Sequence, residues 1–152
     1  MAFIRANFMA DSNSLLIVCE EKITTFNVET MDSDYNYIPS ETDPDAIHYI
    51  HSSCFDGQDS IYLMTSIGDI DDDEDIFMRY SLSTRKITKL AKSPISSDYS
   101  RLIHDQSFGI IYVGGKGRNY RYSIPDDKWT LITDDNDSIT NRAQYGACLI
   151  RD

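Results

Sequence analysis

Between Gly68 and Tyr80 the chain reads GDIDDDEDIFMRY, and Asp69, Asp71, Asp72, Asp73, Glu74 and Asp75 form its densest set of potential ligand oxygens. Asp-x-Asp-x-Asp is how a calcium loop opens, since a hard divalent cation collects oxygen ligands from alternate positions. Such a loop also needs Gly at its sixth position and a bidentate Glu at its twelfth. Counted from Asp69, those places hold Glu74 and Tyr80, so the stretch reads as a solvated acidic loop with no metal and no cofactor. The other metal candidates are His48, His51 and His104. His48 and His51 are an odd number of residues apart, so on one strand they point to opposite faces and cannot share an ion. All three histidines are assigned to packing. Gly114, Gly115 and Gly117 could cradle a phosphate only if they opened a helix. They are followed instead by Arg118-Asn119-Tyr120-Arg121-Tyr122, whose polar and aromatic residues alternate as in a strand. With no nucleophile elbow and no zinc signature in the sequence, the chain reads as non-catalytic.

The totals narrow the partners. A net charge of −11, from 14 Lys and Arg against 25 Asp and Glu, opposes a nucleic-acid partner and favours a protein with a basic surface. No apolar run approaches the roughly 20 residues that span a bilayer, and the first ten residues interrupt their apolar stretch with Arg5, so neither a membrane nor a secretory signal is expected. Cys19, Cys54 and Cys148 are odd in number and sit far apart within apolar stretches, as buried free thiols do in a reducing compartment. The expectation is a cytoplasmic protein.

The elements that must position these residues are strands. Apolar residues recur with period two in short runs, and turn clusters such as ADSNS, DGQD, SPISSD and TDDNDS separate them. The runs repeat. LIVCE from Leu16, IYLMTS from Ile61 and IYVGG from Ile111 line up at spacings of 45 and 50 residues. After each comes an aromatic–polar–aliphatic strand: Phe26-Asn27-Val28, Tyr80-Ser81-Leu82 and Tyr122-Ser123-Ile124. Fourth strands begin at Asp34, Lys86 and Lys128, and first strands begin at Arg5, His48 and Arg101. A further first strand starts at Arg142. This alignment gives His51 and His104 equivalent places. The chain therefore reads as all-β: repeat 1 at about 4–40, repeat 2 at about 46–93, repeat 3 at about 99–134, and the first strand of a fourth at about 141–152.

A four-stranded unit of about 40–50 residues is the blade of a β-propeller. RAQYG at Arg142, the double glycine of IYVGG, Tyr122 and Trp129 resemble the kelch repeat. The first two units depart from it, with Cys19-Glu20 and Thr65-Ser66 in place of the glycines and Tyr35 and Ile87 in place of Trp. The resemblance implies a loop face formed by the strand 2–3 and unit-to-unit connections, on which such proteins receive partners. More than half of the acidic residues fall there, Asp71, Asp72, Asp73 and Asp75 among them, while Arg5, Arg101 and Arg142 open first strands at the same mouth. These seven residues are the candidate partner-binding set. A carbohydrate-binding or carbohydrate-oxidising propeller is the alternative, with Tyr35, Tyr37 and Tyr99 as its aromatic candidates. Three blades are too few to close a ring, which takes about 4–8. Either the chain is part of a longer propeller, or two copies complete one ring.

Overall fold

The computed structural model describes residues 4–9, 13–19, 22–38, 49–67, 74–95, 101–133 and 137–139. Among the described residues twelve strands make three four-stranded antiparallel sheets, each a run of sequence neighbours. The first sheet holds β1 (Ile4–Met9), β2 (Ser14–Cys19), β3 (Lys22–Asn27) and β4 (Ser33–Tyr37). The second holds β5 (Tyr49–Phe55), β6 (Ser60–Ile67), β7 (Glu74–Ser81) and β8 (Ile87–Lys89). The third holds β9 (Arg101–Asp105), β10 (Gly109–Val113), β11 (Asn119–Ser123) and β12 (Lys128–Leu131). Among the described residues there is no helix. The all-β expectation of three antiparallel units is met.

Turn chemistry explains why the same meander forms three times. Beyond the third strand of each sheet, Met31, Arg85 and Asp127 adopt positive φ of 62°, 55° and 46°, each four residues after Asn27, Ser81 and Ser123. The Met31 and Arg85 N–H groups donate back to the carbonyls of Asn27 and Ser81 at 2.9 Å. Asn27 Oδ1 accepts from the N–H groups of Glu29 and Thr30, and Ser81 Oγ accepts from that of Thr84. Short polar side chains that bond the backbone just ahead fix such turns. Between the first and second strands, Asp56 Oδ1 accepts from Gln58, Asp59 and Ser60, and Asp105 Oδ1 accepts from Ser107 and Phe108. These carboxylates lock loops.

The turns also correct the register. Counted from them, Leu15, Ile61 and Ile110 are equivalent, and they pair with Phe26, Tyr80 and Tyr122. The alignment on Leu16, Ile61 and Ile111 is one residue out in the first and third units, and a one-residue slip moves a side chain to the other face. The His51–His104 equivalence also fails. His104 adjoins the β9–β10 turn opposite Ile110, whereas His51 lies at the other end of its strand, in a bulge between the Ile50–Thr65 and Ser52–Met64 pairs. Counted from Asp56 and Asp105, His104 matches Phe55 and Arg101 matches Ser52. Similarity at the strand starts hid a first strand that is two residues longer and bulged in the second sheet.

Two cores join the sheets in sequence. Leu16, Val18 and Ile23 of the first sheet, with Ile38 just beyond β4, pack on Ile61, Leu63, Ile76, Met78 and Tyr80 of the second. From the second sheet's other face, Tyr62, Met64 and Phe77 pack on Leu102, Ile110, Tyr112 and Tyr122 of the third. Trp129 is half-buried against this second core. Its ring centroid lies 4.9 Å from Phe77 and 5.0 Å from Tyr122, and its indole Nε1–H donates to the Ala91 carbonyl at 3.2 Å. The double glycine ends β10 for steric reasons. A Cβ on Gly114 would stand 2.7 Å from the Arg118 carbonyl oxygen, and Gly115 has a φ of 101°.

Candidate functional site

First strands are where neighbouring sheets meet, and their entering ends carry the charged residues of interest. β5 runs beside β9, and the Leu102 N–H, pointing away from its own ladder, donates to Ser52 Oγ at 2.8 Å. Ser52 is the middle residue of β5 and Leu102 the second of β9, so the residues that precede them, His51 and Arg101, lie on the entering side of this contact. Asp75 joins them there. It pairs with Ser66 where β6 ends and β7 begins, and its Oδ1 is 3.5 Å from His51 Nε2.

The placement of Asp75 corrects the loop assignment. It belongs to β7, and its side chain is 9% exposed, against 11% for His51. The bulge supplies the cause: the extra residue turns His51 toward the face that Asp75 shares with Phe77. A carboxylate facing an imidazole can fix the ring's orientation. Asp75 Oδ2 is buried without a hydrogen-bond partner among the described residues, as is Ser53 Oγ. Ser53 projects with Leu63 to the face opposite Ser52, whose Oγ accepts from the Leu102 N–H. Cys54 is no nucleophile in this state. Full burial pushes its thiol far above the ordinary range, with the Asp56 charge adding to the effect. Among the described residues no group of three His, Cys, Asp or Glu side chains is placed to hold a metal.

Of the other candidates, Arg101 opens β9 half-buried, and Arg5 lies in β1 opposite Val18. Asp71, Asp72, Asp73, Arg142, His48, Tyr99 and Cys148 lie outside the described residues. At the same end of the third sheet, the β10–β11 loop meets the chain leaving β12. The Lys116 N–H donates to the Ile139 carbonyl at 2.8 Å, and Asn119 Nδ2 donates to Asp137 at 2.9 Å. Asn119 Oδ1 in turn accepts from the N–H groups of Gly114 and Gly115, so one buried amide ties the double glycine to this connection.

Sequence reasoning passed over the carboxylates at the opposite ends of the strands. Asp59 accepts from the Ser81 hydroxyl at 2.7 Å and the Ser83 N–H at 2.7 Å, which hold its carboxyl below the usual range. Asp127 accepts from the Tyr122 hydroxyl at 2.5 Å and the Ala91 N–H at 2.7 Å, and is lowered for the same reason. Each of these residues closes a turn just before the next strand, Asp59 ahead of β6 and Asp127 ahead of β12, and nothing local in the sequence names the distant Ser83 and Ala91 amides that they hold.

No family model matches the chain, and no curated protein does. Among solved structures, the extracellular domain described as that of a one component system from B. thetaiotaomicron aligns with a TM-score of 0.49 and 13% identity. The alignment covers 91% of this chain, which spans 24% of the length of that structure.

Proposed function

We propose that the chain is a non-catalytic interaction module, built of kelch-like propeller blades, that receives another protein on the loop face at the entering ends of its first strands. The observation that carries this reading is the β5–β9 contact at Ser52 and Leu102, with Asp75 and Arg101 at the same end. Three sheets stacked face to face and meeting along their first strands support a propeller reading, in which four-stranded blades gather about an axis. A rigid strand scaffold with loops gathered at one rim is the usual division of labour in a binding protein. The acidic composition makes a Lys/Arg-rich protein surface the fitting partner, and steering by exposed charge fades over a Debye length of about 8 Å at physiological salt.

Because Asp75 is buried against His51, the variant that tests the rim is Asp71, Asp72 and Asp73 to Asn. The immobilised chain is exposed to lysate at low and moderate salt, and the captured proteins are identified. Association with the captured partner should be slower for the Asn variant at low salt and converge with wild type as salt rises. If the Asn variant associates as fast, while Arg101→Ala with Arg142→Ala loses binding without unfolding, an acidic partner held by the arginines replaces the basic one.

One observation favours the carbohydrate alternative. Tyr35 and Tyr37 are 58% and 55% exposed, with ring centroids 5.8 Å apart and Lys22 Nζ 5.9 and 5.2 Å from them. Their interplanar angle of 87° leaves no shared flat platform for a sugar. A glycan-array signal lost in Tyr35→Ala, with no protein captured, would reverse the order.

A further inference from the structure

The three sheets use two kinds of face, and among the described residues each kind is left once without a facing sheet. Ile61 with Tyr80, and Ile110 with Tyr122, are equivalent pairs facing the preceding sheet, and all four are at most 1% exposed. The equivalent pair in the first sheet is Leu15 with Phe26. Both are only half-buried, and the same face continues through Ile17 to the exposed Tyr35 and Tyr37. At the other end of the stack, the face of the third sheet equivalent to Tyr62, Met64 and Phe77 carries the register row Ile103, Ile111, Arg121 and Thr130. Ile103 and Ile111 are half-buried there, and a depression of about 470 Å³ runs along Ile111, Arg121, Thr130 and the 57%-exposed Phe108.

From these faces we infer that the occupant of both is a second copy of this chain, the third sheet of each copy covering the first sheet of the other. Twice within the chain a face of the Tyr62/Met64/Phe77 kind packs on one of the Ile110/Tyr122 kind, so the interface already has its template. The equivalence extends to charge. Arg79 stands one residue before Tyr80 as Arg121 stands one before Tyr122, and the Arg79 charge acts on the Tyr122 hydroxyl of the next sheet. Across the new interface the equivalent positions bring Arg121 toward Phe26. Tyrosines enriched at interfaces, with an apolar body and a polar tip, are what Tyr35 and Tyr37 supply. A single species carries both complementary faces, and a two-fold axis uses each once per copy. The three described sheets of each copy give six in the pair, inside the range of about 4–8 in which propellers close.

This inference shares ring geometry with the interaction reading but has its own readout. Light scattering on the gel-filtered chain should give a mass twice 17.4 kDa, falling gradually toward the monomer mass only when dilution approaches the dissociation constant. A wild-type monomer at every concentration overturns the proposal, and so does a ladder of larger species, which means the contact does not close. Phe26→Glu and Arg121→Glu attack opposite faces, and each should give a monomer with the far-UV spectrum of wild type. Should either variant misfold, the wild-type mass still decides. Retention of the dimer by both variants places the contact elsewhere and refutes the pairing. A monomer that still captures a protein partner would end this proposal and spare the interaction reading, and a dimer that captures nothing would do the reverse.

Discussion

Replacing Tyr122 with Phe removes one oxygen from the most heavily shared contact between the second and third sheets. The Tyr122 ring is 1% exposed, edge-on to Phe77 at 4.8 Å and tilted against Trp129 at 5.0 Å, and all of that packing survives in Phe. What is lost is the hydroxyl donating to Asp127 at 2.5 Å. A hydrogen bond to a charged group contributes about 1.5–3 kcal/mol. Asp127 is exposed and keeps the Ala91 N–H, so solvent screening puts the loss near the bottom of that range, at about 1.5 kcal/mol. At about 2–4 °C per kcal/mol for a domain of this size, Tm falls by roughly 3–6 °C. Tyr122→Ala also forfeits the ring and costs about 3–5 kcal/mol. The pH dependence has a definite sign. Asp127 is depressed in the folded state, first by the Tyr122 hydroxyl, so its contribution is complete above the unfolded carboxyl value of about 3.9 and is lost as pH falls through the lower folded value. Urea melts at pH 7 should therefore separate wild type from Tyr122→Phe by more than melts below pH 4. An unchanged gap at acid pH, or no gap at neutral pH, would refute the assignment.

Gly109→Ala should be among the most damaging single changes. Gly109 has a φ of 85°, and an added Cβ would lie 2.3 Å from the Tyr122 carbonyl oxygen, so a loss beyond about 3 kcal/mol is expected by thermal melting, well above the ordinary Gly→Ala scale. Cys54 should resist a thiol reagent in the folded protein and react with the kinetics of unfolding, because burial holds it protonated; prompt labelling would contradict its placement. Tyr62, Tyr80 and Tyr122 are all raised, first by burial, so the stability they contribute is complete below the free value of about 10 and is lost as pH rises beyond it. Their phenolate absorbance should appear together with unfolding, not before it.

Much of the fold was legible because three levels of the sequence agree. Period-two runs, turn residues and repeated aromatics all point to four-strand units, and the Phe26, Tyr80 and Tyr122 triplets fall in phase with the positive-φ turns that follow them. The second strands were misaligned by one because LIVCE and IYVGG are apolar on both faces. A strand with apolar residues on both faces lacks the alternation that fixes its register. Asp75 was misplaced for a related reason. It sits in an unbroken acidic run, and nothing local tells the last loop carboxylate from the first one inside β7. Only the bulge at His51, created by pairing with a distant strand, makes it a buried partner. The Tyr122–Asp127–Ala91 link was likewise invisible, since Ala91 belongs to the preceding sheet.

The claim on which the rest depends is that successive sheets meet along their first strands. The Leu102 amide reports on it directly, because β9 is an edge strand of its own sheet and this N–H is satisfied from β5 by Ser52 Oγ. Residue-resolved hydrogen exchange is the measurement. In the wild-type chain Leu102 should exchange as slowly as Ile103, whose N–H points the other way into the β9–β10 ladder. In Ser52→Ala, Leu102 should move to the fast class while Ile103 stays protected. A Leu102 amide that exchanges freely in wild type, or that is indifferent to Ser52, would contradict the arrangement and the loop face built on it.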